Sequence, residues 1–352
     1  MNFILSGIQQ VGIGVEDADK AWAWYRSHFG MDVPIFKDSA TASLMKKYTA
    51  GIEEKRYAIL AMNMQGGGGF EIWQYTSRTP SSSVFVAQTG DLGVYATKLK
   101  SHNITAAFKR LESKKAHLAS PLVSAPDGRK HFYVYDPYNN LFEVIESGNW
   151  FKRNGIFTGG VAGCKIGVSD IGKAMAFYGS VLGYDVVISD KTAQFDDLHG
   201  LPGGDATFRR VLLRRSQMVT GAFSRLLGET ELELVEVKDR TPRKIYEDRS
   251  WGDLGFIHVC FEIYGIEELA RRCEKAGFAF TVDSRSSFEM GNAAGHFSYC
   301  EDPDGTLIEF VETHRVAIFE KFGWFLNLKK REHGKPLPNW MVNALSLNRV
   351  KD

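Results

Sequence analysis

Cysteine is scarce in this chain of 352 residues: Cys164, Cys260, Cys273 and Cys300 form no CxxC pair and no dense framework. That pattern argues for free thiols in a reducing compartment and against a disulfide scaffold. An excess of one charge is also missing, because 43 Lys and Arg face 42 Asp and Glu. A net charge of +1 supplies no global field to draw in DNA, RNA or anionic lipid, so no nucleic-acid partner is expected. No apolar run approaches the ~18–20 residues of a membrane span, so no transmembrane segment is expected. The start, MNFILSGIQQ, lacks a basic region and a long apolar stretch followed by small residues, so no secretory signal is expected. A cytoplasmic location follows as the expectation. What is present is ordinary globular material, 44% apolar and 24% charged, long enough for about two domains.

The chain repeats itself. Residues 11–33 (VGIGVEDADKAWAWYRSHFGMDV) match 164–186 (CKIGVSDIGKAMAFYGSVLGYDV) at a shift of 153. FEIWQYTSRTP (70–80) matches LELVEVKDRTP (232–242) at a shift of 162, as does GDLGVYATKLK (90–100) with GDLGFIHVCFE (252–262). DPYNNLFEVIE (136–146) matches DPDGTLIEFVE (302–312) at a shift of 166. Collinear blocks with small insertions mean two homologous halves, 1–149 and 150–313, followed by an arm, 314–352.

Each half carries the same grammar twice. A short apolar strand leads to an Asp that can cap a helix, and the helix places Trp22, Tyr25 and Phe29 on one face. A glycine stop follows, Gly30 or Gly183, and then β-rich segments. The second unit of the later half reads as strand 256–263, helix 266–276 and strands 278–283, 296–301 and 306–312. The expectation is an α+β fold of four βαβββ modules with cupped mixed sheets.

Tyr-x-x-x-(Phe/Leu)-Gly at the end of the first helix, and Asp-Pro-Asp-Gly-x-x-Ile-Glu at 302–309, resemble the vicinal oxygen chelate superfamily. That superfamily includes glyoxalase I, methylmalonyl-CoA epimerase, extradiol dioxygenases and bleomycin-resistance proteins. The resemblance implies that two modules pair into a cup, with metal ligands from the first and fourth strand of each. The first-strand positions are Gln10, Ala96, Gly163 and His258; the fourth-strand positions are Glu71, Glu143, Glu233 and Glu309. Pairing neighbours leaves one hole in each set. Pairing the first module with the fourth gives Gln10, Glu71, His258 and Glu309, and leaves Ala96, Glu143, Gly163 and Glu233 without first-strand ligands. One complete site and one dead site is the preferred reading.

Nitrogen and oxygen donors without thiolate suit an open site for one divalent metal ion: Zn, Ni, Co, Mn or Fe(II). Each donor also has a plain reading: His258 as a core histidine, the glutamates as sheet residues, and Gln10 as a weak ligand beside Gln9. If Gln9 were the inward residue, the register would shift by one. Tyr299, ten residues before Glu309, resembles the active-site tyrosine of ring-cleaving members. Trp73 and Tyr75 share Glu71's parity on their strand and would face the cup as substrate walls. His131 and His296 precede the last strands of their halves. Gly66–Gly69 has no following GK[ST], so a flexible hairpin turn is expected there and no phosphate loop.

From Arg315 on, eight Lys or Arg face three Asp or Glu, with Phe319, Phe322, Trp324, Phe325 and Trp340 among them. The arm is expected to pack these aromatics on the body and leave its charges solvated. The leading expectation is a metal-dependent enzyme that chelates two neighbouring oxygens of a small-molecule substrate and moves a proton through an enolate, with Glu309 or Glu71 as base and then acid. Isomerase, epimerase and lyase chemistry share that step. The alternatives are an Fe(II)-dependent ring-cleaving dioxygenase, in which Gln10 replaces a histidine, and a metal-free binding protein. A homodimer follows only by analogy.

Overall fold

The computed structural model describes residues 3–285, 288–290, 293–319 and 323–351; Phe322 lies outside them. The first module contains β1 (Ile4–Gly14), α1 (Ala18–Phe29), β2 (Val33–Thr41), β3 (Lys55–Met62) and β4 (Gly69–Tyr75). The second contains β5 (Gly93–Ser101), α2 (Ile104–Ser113), β6 (His117–Leu118), β7 (Val123–Ser124), β8 (Lys130–Tyr135) and β9 (Leu141–Glu146). The third contains β10 (Thr158–Gly167), α3 (Ile171–Leu182), β11 (Val186–Ala193), β12 (Phe208–Arg214), the short α4 (Ser224–Leu227) and β13 (Glu231–Val237). The fourth contains β14 (Gly255–Tyr264), α5 (Ile266–Lys275), β15 (Val282–Asp283), β16 (Phe288–Met290), β17 (Ala293–Glu301) and β18 (Leu307–Phe319). The arm adds β19 (Trp324–Asn327) and α6 (Asn339–Ala344).

The first and third modules begin their helices alike. The Asp17 carboxylate accepts from the Lys20 N–H and the Asp170 carboxylate from the Lys173 N–H, each at 3.0 Å. Both caps satisfy an N–H that the first turn leaves without a partner. Gly30 and Gly183 end the two helices at φ 73° and 74°, the left-handed region that other residues enter at a cost.

Strands pair in the order β15-β17-β18-β14-β1-β4-β3-β2 in one sheet and β11-β12-β13-β10-β5-β9-β8-β6 in the other. The first module therefore joins the fourth, and the second joins the third. Each sheet has two antiparallel strands at its centre, β1 with β14 or β5 with β10, flanked by parallel neighbours.

The repeated motifs are the stitches of this arrangement. Within each half, the helix tyrosine donates to the aspartate of the Asp-Pro turn: Tyr25 to Asp136 at 2.6 Å and Tyr178 to Asp302 at 2.9 Å. Between halves, the arginine of Arg-Thr-Pro pairs with the aspartate of Gly-Asp-Leu-Gly: Arg78 with Asp253 at 2.7 Å and Arg240 with Asp91 at 2.6 Å. A common core of Tyr25, Phe29, Phe142, Phe177, Tyr178 and Phe256, with many aliphatic neighbours, is shared by the two sheets.

Two expectations need correction. The glycine run is a buried crossing and not a loose turn: Gly68 and Val161 exchange backbone hydrogen bonds at 2.9 and 2.8 Å. A Cβ on Gly67 would lie 2.6 Å from the Gly160 carbonyl carbon, so only glycine permits that approach. Among its described side chains, the arm buries aliphatics and leaves Trp324, Phe325 and Trp340 largely exposed. Leu337, Val342 and Leu345 are 0–2% exposed, whereas Trp324, Phe325 and Trp340 are 38–62% exposed. The aliphatics pack in one cluster with Val33, Leu60 and Met62. No helix among the described residues is long and apolar enough to cross a membrane.

Tyr178→Phe removes a donor from Asp302, which is 4% exposed and which burial pushes up to about 6. The expected loss is about 1–3 kcal/mol, read as a lower midpoint in urea unfolding at pH 7. An unchanged midpoint would remove the motif's role as a stitch.

Candidate metal centre

The four central strands of the first sheet each bring one donor to a common point: Gln10 on β1, Glu71 on β4, His258 on β14 and Glu309 on β18. Gln10 Nε2 lies 3.4 Å from Oε2 of both Glu71 and Glu309. His258 Nε2 lies 3.0 Å from Glu309 Oε2 and 3.4 Å from Glu71 Oε2. One donor atom from each of Glu71, His258 and Glu309 falls within 4.8 Å of the other two.

Backbone detail makes this convergence possible. A register shift between Ile8 and Gln10 bulges β1 at Gln9, so that both glutamines border the cavity above the sheet. Gln9 is held aside by Glu262, to which its amide donates, and it also donates to Thr313 Oγ1 at 3.3 Å. Opposite His258 stands Gly12, where a Cβ would sit 2.4 Å from the imidazole Cε1. Glycine makes room for the ring.

Burial is nearly complete: Gln10, Glu71 and Glu309 are 4–6% exposed and His258 is 0%. Burial and the neighbouring Glu309 charge push Glu71 up to about 7. Burial opposes ionisation of Glu309 too, but His258, with Tyr299 and Cys260 beside it, outweighs that and holds the carboxyl below its ordinary range. His258 is raised in turn, because the Glu309 charge overcomes desolvation. Two acids therefore share one histidine. Among the described residues, Gln10 Oε1 and His258 Nδ1 are buried without a hydrogen-bond partner. A buried amide oxygen without a partner, two carboxylates facing one imidazole, and an all-nitrogen-and-oxygen donor set fit a divalent cation.

The same place in the second sheet is filled. Glu143 and Glu233 occupy the positions of Glu309 and Glu71, while Ala96 and Gly163 replace His258 and Gln10. Two residues further along, small becomes large: Cys260 and Gly12 correspond to Lys98 and Lys165. Lys98 Nζ lies 2.7 Å from Glu233 and 3.5 Å from Glu143; Lys165 Nζ lies 3.3 and 3.5 Å from the same carboxylates. Arg210 bridges Glu233 and Asp197 at 2.7 Å each. His131 sits 2.6 Å from Glu143 and is fully buried. Ammonium groups stand where the first sheet has room for an ion. Reading two residues past each missing ligand is the sequence signal that would have found Lys98 and Lys165.

The other candidates fall as follows. Tyr299 is 2% exposed, lies directly across from Glu309 on the neighbouring strand and sets its ring edge-on to His258, centroids 5.5 Å apart. Trp73 borders a cavity of about 300 Å³ that also reaches Gln10, Glu71, Tyr299 and Glu309. Tyr75 does not border it: its hydroxyl donates to the Trp251 carbonyl, and its ring packs edge-on to Trp73 at 4.6 Å. His296 bonds Asp283 at 2.5 Å on the rim of the sheet, away from the four donors.

Comparison with known proteins agrees with this architecture. Two family models, both described as the glyoxalase/bleomycin resistance protein/dioxygenase superfamily, match residues 7–144 and 164–299. Among solved structures, a glyoxalase I mutant from Zea mays is 13% identical, with 87% of this chain and 93% of that chain covered and a TM-score of 0.56. A putative dioxygenase from Bacillus subtilis is 12% identical, with 88% and 86% covered and a TM-score of 0.58. At such identity these likenesses concern the fold. No curated protein sequence gives a significant match.

Lys98→Met removes the one cation that Glu143, Glu231 and Glu233 share, all at most 5% exposed, and leaves them to Lys165, His131, Arg210 and Arg129. The expected destabilisation is about 3–5 kcal/mol by urea unfolding at pH 7; a loss under 1 kcal/mol, on the order of an exposed pair, contradicts the charge-filling account. Acid should act on the same cluster. Its carboxylates are held low, Asp197 at about 2 despite burial, so their contribution is present at neutral pH and drains away as pH falls from about 4 toward 2. Hydrogen exchange of β9, β12 and β13 across that range checks it, and protection that stays flat would count against it.

Proposed function

Because this chain belongs to the glyoxalase/bleomycin resistance protein/dioxygenase superfamily, we propose that it is a metal-dependent enzyme moving a proton on a small substrate with two neighbouring oxygens. The observation that carries the reading is the asymmetry of the two sheets. Equivalent carboxylate pairs are neutralised by lysines in one, and in the other they converge with Gln10 and His258 beside a cavity. Gln10, Glu71, His258 and Glu309 would hold the ion, and a bound divalent ion would polarise the substrate oxygens and stabilise the charge that develops on them.

The chain's own residues account for the rest. Glu309 and Glu71 approach the site from opposite edges, β18 and β4, so one carboxylate can take a proton from a substrate carbon and the other can return it. Tyr299 stands directly across from Glu309 and helps hold that carboxyl low. Trp73 and Trp251, edge to face at 4.7 Å, keep water from one side of the cavity.

Ring-cleaving oxygenation is the second reading. It is favoured by Tyr299, which stands across from Glu309 and edge-on to the His258 ring, and it would use an Fe(II) ion in the same place.

The two readings separate in one set of assays. Protein loaded with Zn, Ni, Co or Mn and held in D2O with α-hydroxyketones or hemithioacetals should exchange or isomerise the substrate in air. Glu309→Gln should lower that rate by about 100-fold or more, the usual scale for a lost general base. Oxygen consumption with a catechol, dependent on Fe(II) and abolished by Tyr299→Phe, would replace the first reading with the second. Full activity in Glu309→Gln would end both.

A further inference from the structure

The cavity over the four donors joins two apolar neighbourhoods. On one side Trp73, Trp251, Tyr299 and Met45 form an aromatic cluster. On the other, Leu60, Met62, Phe223, Leu227, Val316 and Leu345 form an aliphatic one. Strand register places the donors at the junction: Ala58 of the aromatic cluster pairs with Trp73, and Leu60 of the aliphatic cluster pairs with Glu71. The aliphatic wall is built largely from additions to the repeat. The connection between β12 and β13 runs over 215–230, against 63–68 between β3 and β4, and its extra length carries Phe223 and α4. Val316 lies on the extension of β18 beyond the repeat, and Leu345 follows α6 in the arm. Three separate extensions thus converge on one side of the site.

Charge narrows what can lie there. Among the described residues bordering the cavity, Arg56 is the only Lys or Arg. It is 7% exposed, and its guanidinium is engaged by Asp38, through the backbone carbonyl at 3.0 Å and the carboxylate at 3.3 Å. The described lining thus offers no free cation to a phosphate or a carboxylate-rich carrier, and burying an unpaired anion there would be costly.

We propose that the 223–227 segment and the arm form a tail-binding wall that selects a neutral substrate, one whose paired oxygens meet the donors while an aliphatic body lies against Phe223, Leu227 and Leu345. The substrate class rests on the metal-dependent reading above; the wall itself does not. An anionic carrier conjugate, such as a glutathione or coenzyme A adduct, is disfavoured by the same surface.

Calorimetric titration of the Zn-loaded full chain with acetohydroxamate and octanohydroxamate tests this, since a hydroxamate presents two adjacent oxygens to a metal. Each methylene buried on the wall is worth roughly threefold in affinity, so octanohydroxamate should bind at least about 30-fold tighter than acetohydroxamate. Leu345→Asn and Phe223→Ala, each checked for an unchanged circular dichroism spectrum, should remove about tenfold from octanohydroxamate and leave acetohydroxamate within about twofold. Affinity that does not change with chain length overturns the proposal. So does S-hexylglutathione binding more tightly than octanohydroxamate, or variants that weaken both hydroxamates equally. Titration of metal-free protein with 1-butanol and 1-octanol keeps the two readings apart. A chain-length gain for the alcohols, with no advantage for hydroxamates after metal loading, upholds the wall and removes the metal.

Discussion

Two pairs of glutamates buried at the centres of two sheets must be neutralised, and the rest of the molecule is arranged around how that is done. An ionised carboxylate out of water is tolerated only with a positive partner and full hydrogen bonding. In the second sheet Lys98, Lys165 and Arg210 meet the demand with covalently attached charge, and the space is filled. In the first sheet a single histidine faces Glu71 and Glu309, and Gly12 and Cys260 stand where the lysines would be. The unmet charge and the open volume are two aspects of one exchange of small residues for large ones. That exchange, more than any single ligand, separates a site from a scaffold.

The repeated motifs divide into two kinds for a related reason. Tyr25 with Asp136, Tyr178 with Asp302, Arg78 with Asp253 and Arg240 with Asp91 recur because both sheets need the same joints. They hold helices to turns within a half and strand ends to strand ends between halves, and so set the spacing at which four strands can offer one side chain each. The repeats differ at the residues two apart on the central strands, in the long connection before β13, and in the arm beyond them, and the proposed chemistry rests on those differences.

Much of this was legible in the sequence. Repeats at shifts of 153, 162 and 166 residues define the modules, and completeness of the donor set picks the pairing of the first with the fourth that the strand order displays. Other features were hidden for physical reasons. Alternation along β1 cannot place both Gln9 and Gln10, because a bulge breaks the period of two. Parity pointed Tyr75 toward the cup, but its hydroxyl is drawn to the Trp251 backbone by a loop that local pattern does not locate. Lys98 and Lys165 share the parity of the missing ligands on their strands, but parity alone does not say which carboxylates lie opposite them. Composition drew attention to the arm's aromatics, whereas packing depends on shape, and the shape of the remaining gap belongs to the folded molecule.

The account's central claim is that one sheet holds a divalent ion and the other has replaced it with lysine. Metal content by elemental analysis of protein purified without chelator, native beside His258→Ala and Lys98→Met, tests this most directly. The prediction is about one metal per chain in the native protein, lost in His258→Ala and kept in folded Lys98→Met, since the donor pattern provides a single site. A native protein that carries no metal and takes none up, or metal that survives in His258→Ala, contradicts it.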